Sequence, residues 1–168
     1  MHMDTGISTE DRAKIVESLS TVLGDAFMLY LKTHNFHWNV TGPMFSTLHV
    51  MFEEQYTEQW NALDEIAERI RALGHFAPAT SKRYVELSSI KEEPEVLSAK
   101  EMIRQLVEGN EILVRTMRQG VKVADDLDDF PTADMLTTRM EVHEKNAWML
   151  RSFLEQGAGS MQGEASSD

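Results

Sequence analysis

Four side chains in the stretch 44–73, His49, Glu53, Asp64 and Glu68, have the types and spacing to hold a metal ion. They form two pairs at i,i+4, and at roughly 100° per residue all four fall within about 100° of one another on one helix face. The same residues also fit an ordinary solvated face of a Glu-rich helix. His49 and Asp64 lie 15 residues apart, roughly 22 Å along a helix at ~1.5 Å per residue. Metal–ligand bonds are about 2 Å, so one chain cannot bring both pairs to one ion. Two copies can. When two such helices cross antiparallel about a two-fold axis, facing residues share one residue-number sum. His49 with Glu68 and Glu53 with Asp64 share it, so a single register satisfies both pairs. The result is an isologous dimer with two identical His/carboxylate sites.

The elements that must position these residues follow from periodicity. In the stretch 44–73, Phe45, Leu48, Phe52, Leu63, Ile66, Ile70 and Leu73 recur at three-and-four spacing, with no Gly or Pro inside. That predicts an amphipathic helix, opened by Thr41-Gly42-Pro43 and stopped at Gly74. Upstream, Ser8 to Asp11 is a capping pattern. Ile15, Leu19, Val22, Leu23, Ala26, Leu29 and Tyr30 then predict a first long helix to about residue 38. His37 continues its buried stripe, and a turn of about five residues returns the chain antiparallel. This hairpin brings His37 within reach of His49 as a further candidate ligand. His34, one turn earlier, either supports the site from behind or serves packing.

Residues 75–97 form the one long connection, bracketed by Pro78 and Pro94, with a short helix capped by Ser81 and running to Leu87. Such a crossover starts the third helix at the far end of a bundle. Ser98 and Glu101 form a capping box, and apolar spacing carries that helix to about residue 126. A fourth runs from about Pro131 to Glu155, with His143 on its apolar stripe and no acidic partner at ligand spacing, hence a core residue. Between them lies ADDLDDFPTAD, in which Asp128 or Asp129 can cap the fourth helix. Asp125 and Asp126 sit at a helix C-terminus, where negative charge is unfavourable. The cluster therefore suits a metal ion, a route for cations, or a solvated turn.

The expected fold class is all-α, four long helices with one long crossover, in a single domain spanning 1–168 with its core at about 8–156 and short flexible tails. The 168 residues carry a formal net charge of −12 and no cysteine. Disulfides, thiolate zinc sites and cysteine nucleophiles are thereby excluded. No apolar run is long enough for a membrane span and no signal pattern is present, so a soluble cytoplasmic protein is expected.

In these residues the chain closely resembles the Dps family, the miniferritins named as DNA-binding proteins from starved cells. The family pattern is His-Trp-Asn near the end of the first helix, a His 12 residues on, an acid four further, then Asp and Glu 15 and 19 residues after that second His. Here these are His37-Trp38-Asn39, His49, Glu53, Asp64 and Glu68, and the similarity covers about residues 10–155. Glu53 departs from the Asp more common in the family, keeping the charge on a longer arm. The resemblance implies a ferritin-like four-helix bundle with a short extra helix in the crossover between helices 2 and 3, assembled as a hollow homododecamer. Each two-fold interface would hold two ferroxidase centres, with His37, His49 and Glu53 from one subunit and Asp64 and Glu68 from its partner. The larger ferritins use intrachain sites with Glu-x-x-His, a motif that does not occur in this chain.

The implied activity is oxidation of ferrous iron, preferably by hydrogen peroxide and otherwise by dioxygen, with storage of ferric mineral. Zinc is a possible substitute in the site. Trp38 either quenches oxidising equivalents, as such tryptophans do in the family, or packs. Asp125, Asp126, Asp129 and Asp134 resemble the acidic lining of the family's three-fold iron-entry pore. Two alternatives stand beside this reading: a nucleoid-protecting DNA-binding protein, and a cage that buffers zinc or manganese with little oxidase activity. Direct DNA binding is disfavoured because the residues before the first long stripe carry only Arg12 and Lys14, the C-terminal GAGSMQGEASSD carries no base, and the subunit is acidic.

Overall fold

The computed structural model describes residues 3–155; the C-terminal tail expected beyond residue 155 lies outside them. Five helices follow one another: α1 Thr9–Asn39, α2 Phe45–Ala72, α3 Ser81–Leu87, α4 Ala99–Asp126 and α5 Phe130–Leu154. No strand occurs among the described residues. The short turns 40–44 and 127–129 make α1/α2 and α4/α5 antiparallel hairpins. α1 also packs on α4 and on the small α3. This is the expected four-helix bundle with an extra helix in the crossover.

Every helix start but that of α2 carries a side-chain cap. The Ser8 hydroxyl accepts from Asp11 N at 3.1 Å, and Ser98 accepts from Glu101 N at 3.3 Å. α3 corrects one expectation, because its cap is Thr80, which accepts from Arg83 N at 3.3 Å, while Ser81 is its first helical residue. α5 is capped by Asp129, with Pro131 in its first turn. Asp128, just before that cap, takes φ 57°, the left-handed conformation that ends α4 tightly enough to start α5 two residues later.

Leu19, Leu29, Phe36, Leu48, Phe52, Leu106, Leu113 and Met117 are fully buried in one core, each worth roughly 1.5–3 kcal/mol relative to exposure. Phe45 differs from the stripe read in the sequence. It is 44% exposed and lies against His49 instead of the core. Gly24 and Gly109 allow close helix approaches: a Cβ on Gly24 would meet Leu87 Cβ at 2.8 Å, and one on Gly109 would meet Leu29 Cδ1 at 2.7 Å. α3 is further pinned by Asp25, which is fully buried and accepts from Ser88 Oγ at 2.8 Å, Ser89 N at 2.7 Å and Thr116 Oγ1 at 2.6 Å. One carboxylate thus joins α1, the crossover and α4.

Several polar residues of the interior are paired across helices. Arg139 on α5 makes a two-pronged ion pair with Glu58 on α2 and donates to His143 Nε2 at 3.2 Å. Asn110 Nδ2 donates to Leu106 O at 2.7 Å, which leaves its Oδ1 to accept from His143 Nδ1–H at 2.8 Å. His143 is therefore a core residue, as its stripe implied. Burial first, and the Arg139 charge second, push its pKa down to about 3.

Two outcomes follow for stability. Asp25→Ala removes the acceptor shared by Ser88, Ser89 and Thr116 from a buried position and should cost about 2–3 kcal/mol in urea unfolding. His143 is uncharged in the fold and ordinary once unfolded, so below the usual histidine value of 6.5 the unfolded chain binds more protons than the folded one. Stability should therefore be indifferent to this group above pH 6.5. It should fall by roughly 1.4 kcal/mol per pH unit per subunit as pH drops toward 3. His143→Gln should lack that component in the same pH series.

Candidate metal centre

α1 ends and α2 begins around a pair of stacked imidazoles. His37 lies in the last turn of α1 and His49 in the second turn of α2. Their rings are 3.8 Å apart between centroids and 19° from parallel. His37 Nδ1 lies 2.8 Å from the His49 carbonyl oxygen, and His49 Nδ1 lies 2.9 Å from the His37 carbonyl oxygen. A carbonyl can only accept, so each Nδ1 carries the hydrogen and Nε2 is the ring nitrogen left to face a metal. The His37 carbonyl belongs to the final turn of α1, where no helical N–H remains to pair with it. His49 of α2 therefore also caps α1.

Glu53, one turn after His49, completes a cluster. His37, His49 and Glu53 each offer one ligand atom, and these atoms lie within 4.8 Å of one another. His37 is 7% exposed and Glu53 is exposed, so the cluster has a buried floor and an open mouth. Two imidazole nitrogens and a carboxylate suit a first-row divalent ion. As a set from one protomer they leave coordination positions free.

Asp64 and Glu68 sit on the same face of α2, exposed, and about 16 Å or more further along at ~1.5 Å per residue. Within one protomer they do not join the cluster. Asp64 stands in an open groove of about 540 Å³ that also takes in Leu23, Phe27, Trp60, Ala67 and Tyr84.

An aromatic support lies behind the cluster. Tyr56 meets the His37 ring edge-on at 5.1 Å and stacks on His34 at 3.8 Å, 12° from parallel. Phe45 stacks on the outer side of His49 at 5.0 Å. His34 accepts from or donates to Tyr30 Oη at 3.2 Å and faces Trp38 at 4.0 Å. Burial, then the neighbouring His37, holds His34 below the ordinary histidine range. His34 thus lies behind the cluster, against Tyr56 and near His37, without being one of its three members, and Trp38 is 63% exposed. Tyr56 was not among the residues singled out from the sequence. Its signal was there, since position 56 is seven after His49 and so on the same helix face.

The acidic cluster at the α4/α5 turn divides. Asp125, Asp126 and Asp134 are exposed, as a pore lining requires. Asp129 is not. It is 0% exposed, accepts from Arg69 Nη2 at 2.6 Å and from Thr132 Oγ1 at 2.6 Å, and caps α5. A buried carboxylate committed to a guanidinium cannot line a pore, and the expectation for Asp129 is corrected accordingly.

The ferritin-like domain family matches residues 16–159. The DNA protection during starvation protein 2 of Bacillus anthracis is 43% identical over 143 residues, covering 85% of this chain and 98% of that protein. The crystal structure of a Dps protein from Bacillus brevis superposes with a TM-score of 0.85 at 41% identity, covering 89% of this chain and all of that one. The Dps protein of Vibrio cholerae O1, described as a member of a broad superfamily of ferritin-like diiron-carboxylate proteins, superposes at 0.87 with 29% identity, covering 92% of this chain and 98% of that one. With a bundle of this topology and relatives matched along almost their whole length, this chain belongs to the Dps family of ferritin-like proteins.

Proposed function

We propose that the protein is a ferroxidase and iron-storage cage, with Fe(II) as substrate at a site shared between two subunits. The observation that carries this reading is the convergence of His37, His49 and Glu53 to within 4.8 Å, with Asp64 and Glu68 exposed on the same helix face. An antiparallel two-fold crossing sets His49 against Glu68, and Glu53 against Asp64, of the second copy. Five ligands then surround each site, enough for two ions. The carboxylates favour the more highly charged ferric product over the ferrous substrate.

Peroxide is the oxidant that this arrangement suits. Two ferrous ions held side by side each give one electron to a single H2O2. With two waters they yield two FeOOH and four protons, and no hydroxyl radical is released. The imidazoles contribute little motion, since both rings are tied at Nδ1. Oxidised iron would leave through the open, carboxylate side toward the interior of a homododecameric, cytoplasmic cage. Asp125, Asp126 and Asp134 are the acids available to draw ferrous ions through a three-fold pore. Zinc or manganese held without turnover is the alternative use of the same ligands.

His49→Ala combined with Asp64→Ala removes one ligand from each side of the shared site. Peroxide-driven Fe(II) oxidation, followed by stopped-flow absorbance, should fall by on the order of 10²-fold or to the protein-free rate. Unchanged oxidation would reject the site. The name of the Bacillus anthracis relative raises DNA protection, and here charge argues that protection acts through iron chemistry. A subunit of net charge −12 should give no mobility shift with duplex DNA at low salt, with or without magnesium.

A further inference from the structure

We propose that Lys32 is an acylation site, its amine held where two surface cavities meet and where a small acyl phosphate docks and transfers its acyl group. The inference is independent of the iron chemistry, and none of the candidate metal ligands borders either cavity.

A lysine on an amphipathic helix ordinarily carries its charge out to water or to a carboxylate. Lys32 of α1 does neither. It is half-buried, and its Nζ donates at 2.8 Å to the neutral Oε1 of Gln105 on α4. Among the described residues it makes no ion pair. Glu93, in the crossover between α3 and α4, accepts instead from Gln105 Nε2 at 2.7 Å and from Glu95 N at 3.0 Å. The Gln105 amide thus stands between the cation and the anion. Burial outweighs the attraction of Glu93 and Glu108 and holds the Lys32 pKa below the ordinary lysine value. More of the neutral, nucleophilic amine is therefore present near neutral pH than on an ordinary lysine. Lys14 shows the opposite case, kept charged by its bonds to Asp11 and Glu10.

The amine also has room in front of it. Lys32 lines a cavity of about 290 Å³ with Met28, Leu31, Asn35, Lys91 and Pro94. A second cavity, of about 270 Å³, opens on its α4 side. Lys91, Glu92 and Glu93 border both. The first cavity suits the two ends of an acyl phosphate. Met28, Leu31 and Pro94 offer apolar surface to the acyl carbon chain, while Lys91 and the Asn35 amide offer a cation and a donor to phosphoryl oxygens. Of its two acids, Glu93 is committed to Gln105 and Glu95, and Glu92 is exposed to water that screens it. The second cavity adds Glu101 and Glu108 and no further cation, so an anionic donor is received in the first.

In the transfer, the Lys32 lone pair attacks the acyl carbonyl carbon. An N–C bond forms, the C–O bond to the phosphate breaks, phosphate leaves with the electron pair, and the nitrogen loses a proton to water. The amide product keeps one N–H to donate to Gln105 Oε1, so the crossover stays tied while the subunit loses one positive charge.

The test is site-resolved acetylation of the full-length assembled protein by acetyl phosphate, followed by peptide mass spectrometry of timed samples. At about pH 8, Lys32 should react at least roughly fivefold faster than the exposed Lys82 or Lys91. In urea-unfolded protein that preference should vanish. Lys91→Gln should slow acetylation of Lys32 by acetyl phosphate about fivefold, and should slow it much less when the donor is the uncharged p-nitrophenyl acetate. A Lys32 rate no greater than that of Lys82, or a preference that persists in urea, would overturn the acylation site. Equal slowing with both donors would overturn the docking of an acyl phosphate beside Lys91.

Discussion

Everything the candidate site can do depends on two hydrogen bonds that cross between the ends of α1 and α2. His37 and His49 each donate Nδ1–H to the other's backbone carbonyl. The exchange fixes both rings, exposes both Nε2 atoms, and satisfies a carbonyl in the last turn of α1 that the helix itself leaves open. It works only because a five-residue turn returns the chain at once, placing position 49 beside position 37. The hairpin, the helix ending and the ligand geometry are therefore one structural unit.

α2 is correspondingly anchored. Its core stripe of Leu48, Phe52, Leu63, Ile66 and Ile70 faces the bundle. Two long-range ion pairs, Glu58 with Arg139 and Arg69 with Asp129, tie it to α5. The remaining face carries His49, Glu53, Tyr56, Trp60, Asp64 and Glu68 away from the core. A helix held on one side by apolar packing and guanidinium contacts keeps its other side, with the candidate ligands, in fixed geometry. The interior histidine follows a different logic. His143 has its Nδ1 on Asn110 and its Nε2 beside Arg139, so both nitrogens are occupied and neither is free for metal. In this bundle the buried histidine is committed to side-chain hydrogen bonds, and the candidate ligand cluster lies at the α1/α2 turn.

The acids of the α4/α5 turn show how one local pattern serves unlike purposes. Asp129 and its neighbours look equivalent along the chain, four acids in five residues. In the fold, Asp129 lies under Arg69 and Thr132, while Asp125 and Asp126 face water. Its dual role as cap and buried counter-ion reconciles a carboxylate with zero exposure, since the guanidinium supplies both charge and hydrogen bonds at a place where an unpaired carboxylate would be costly.

What was legible in the sequence is what neighbouring positions determine together. Periodicity of apolar residues located four long helices, capping chemistry located the starts at Ser8 and Ser98, and spacing on one helix face singled out His49, Glu53, Asp64 and Glu68. These are short-range properties, governed by a rise of about 1.5 Å and a turn of roughly 100° per residue, so they are written in the order of the residues. Tertiary structure alone decided which ring nitrogens face a metal, that Phe45 leans on His49 instead of the core, that Thr80 and not Ser81 caps α3, and that Asp129 is buried. The largest of these decisions joins residues 60 positions apart, Arg69 to Asp129. No local pattern encodes such a pairing, because it exists only once the packed core has brought α2 against the start of α5.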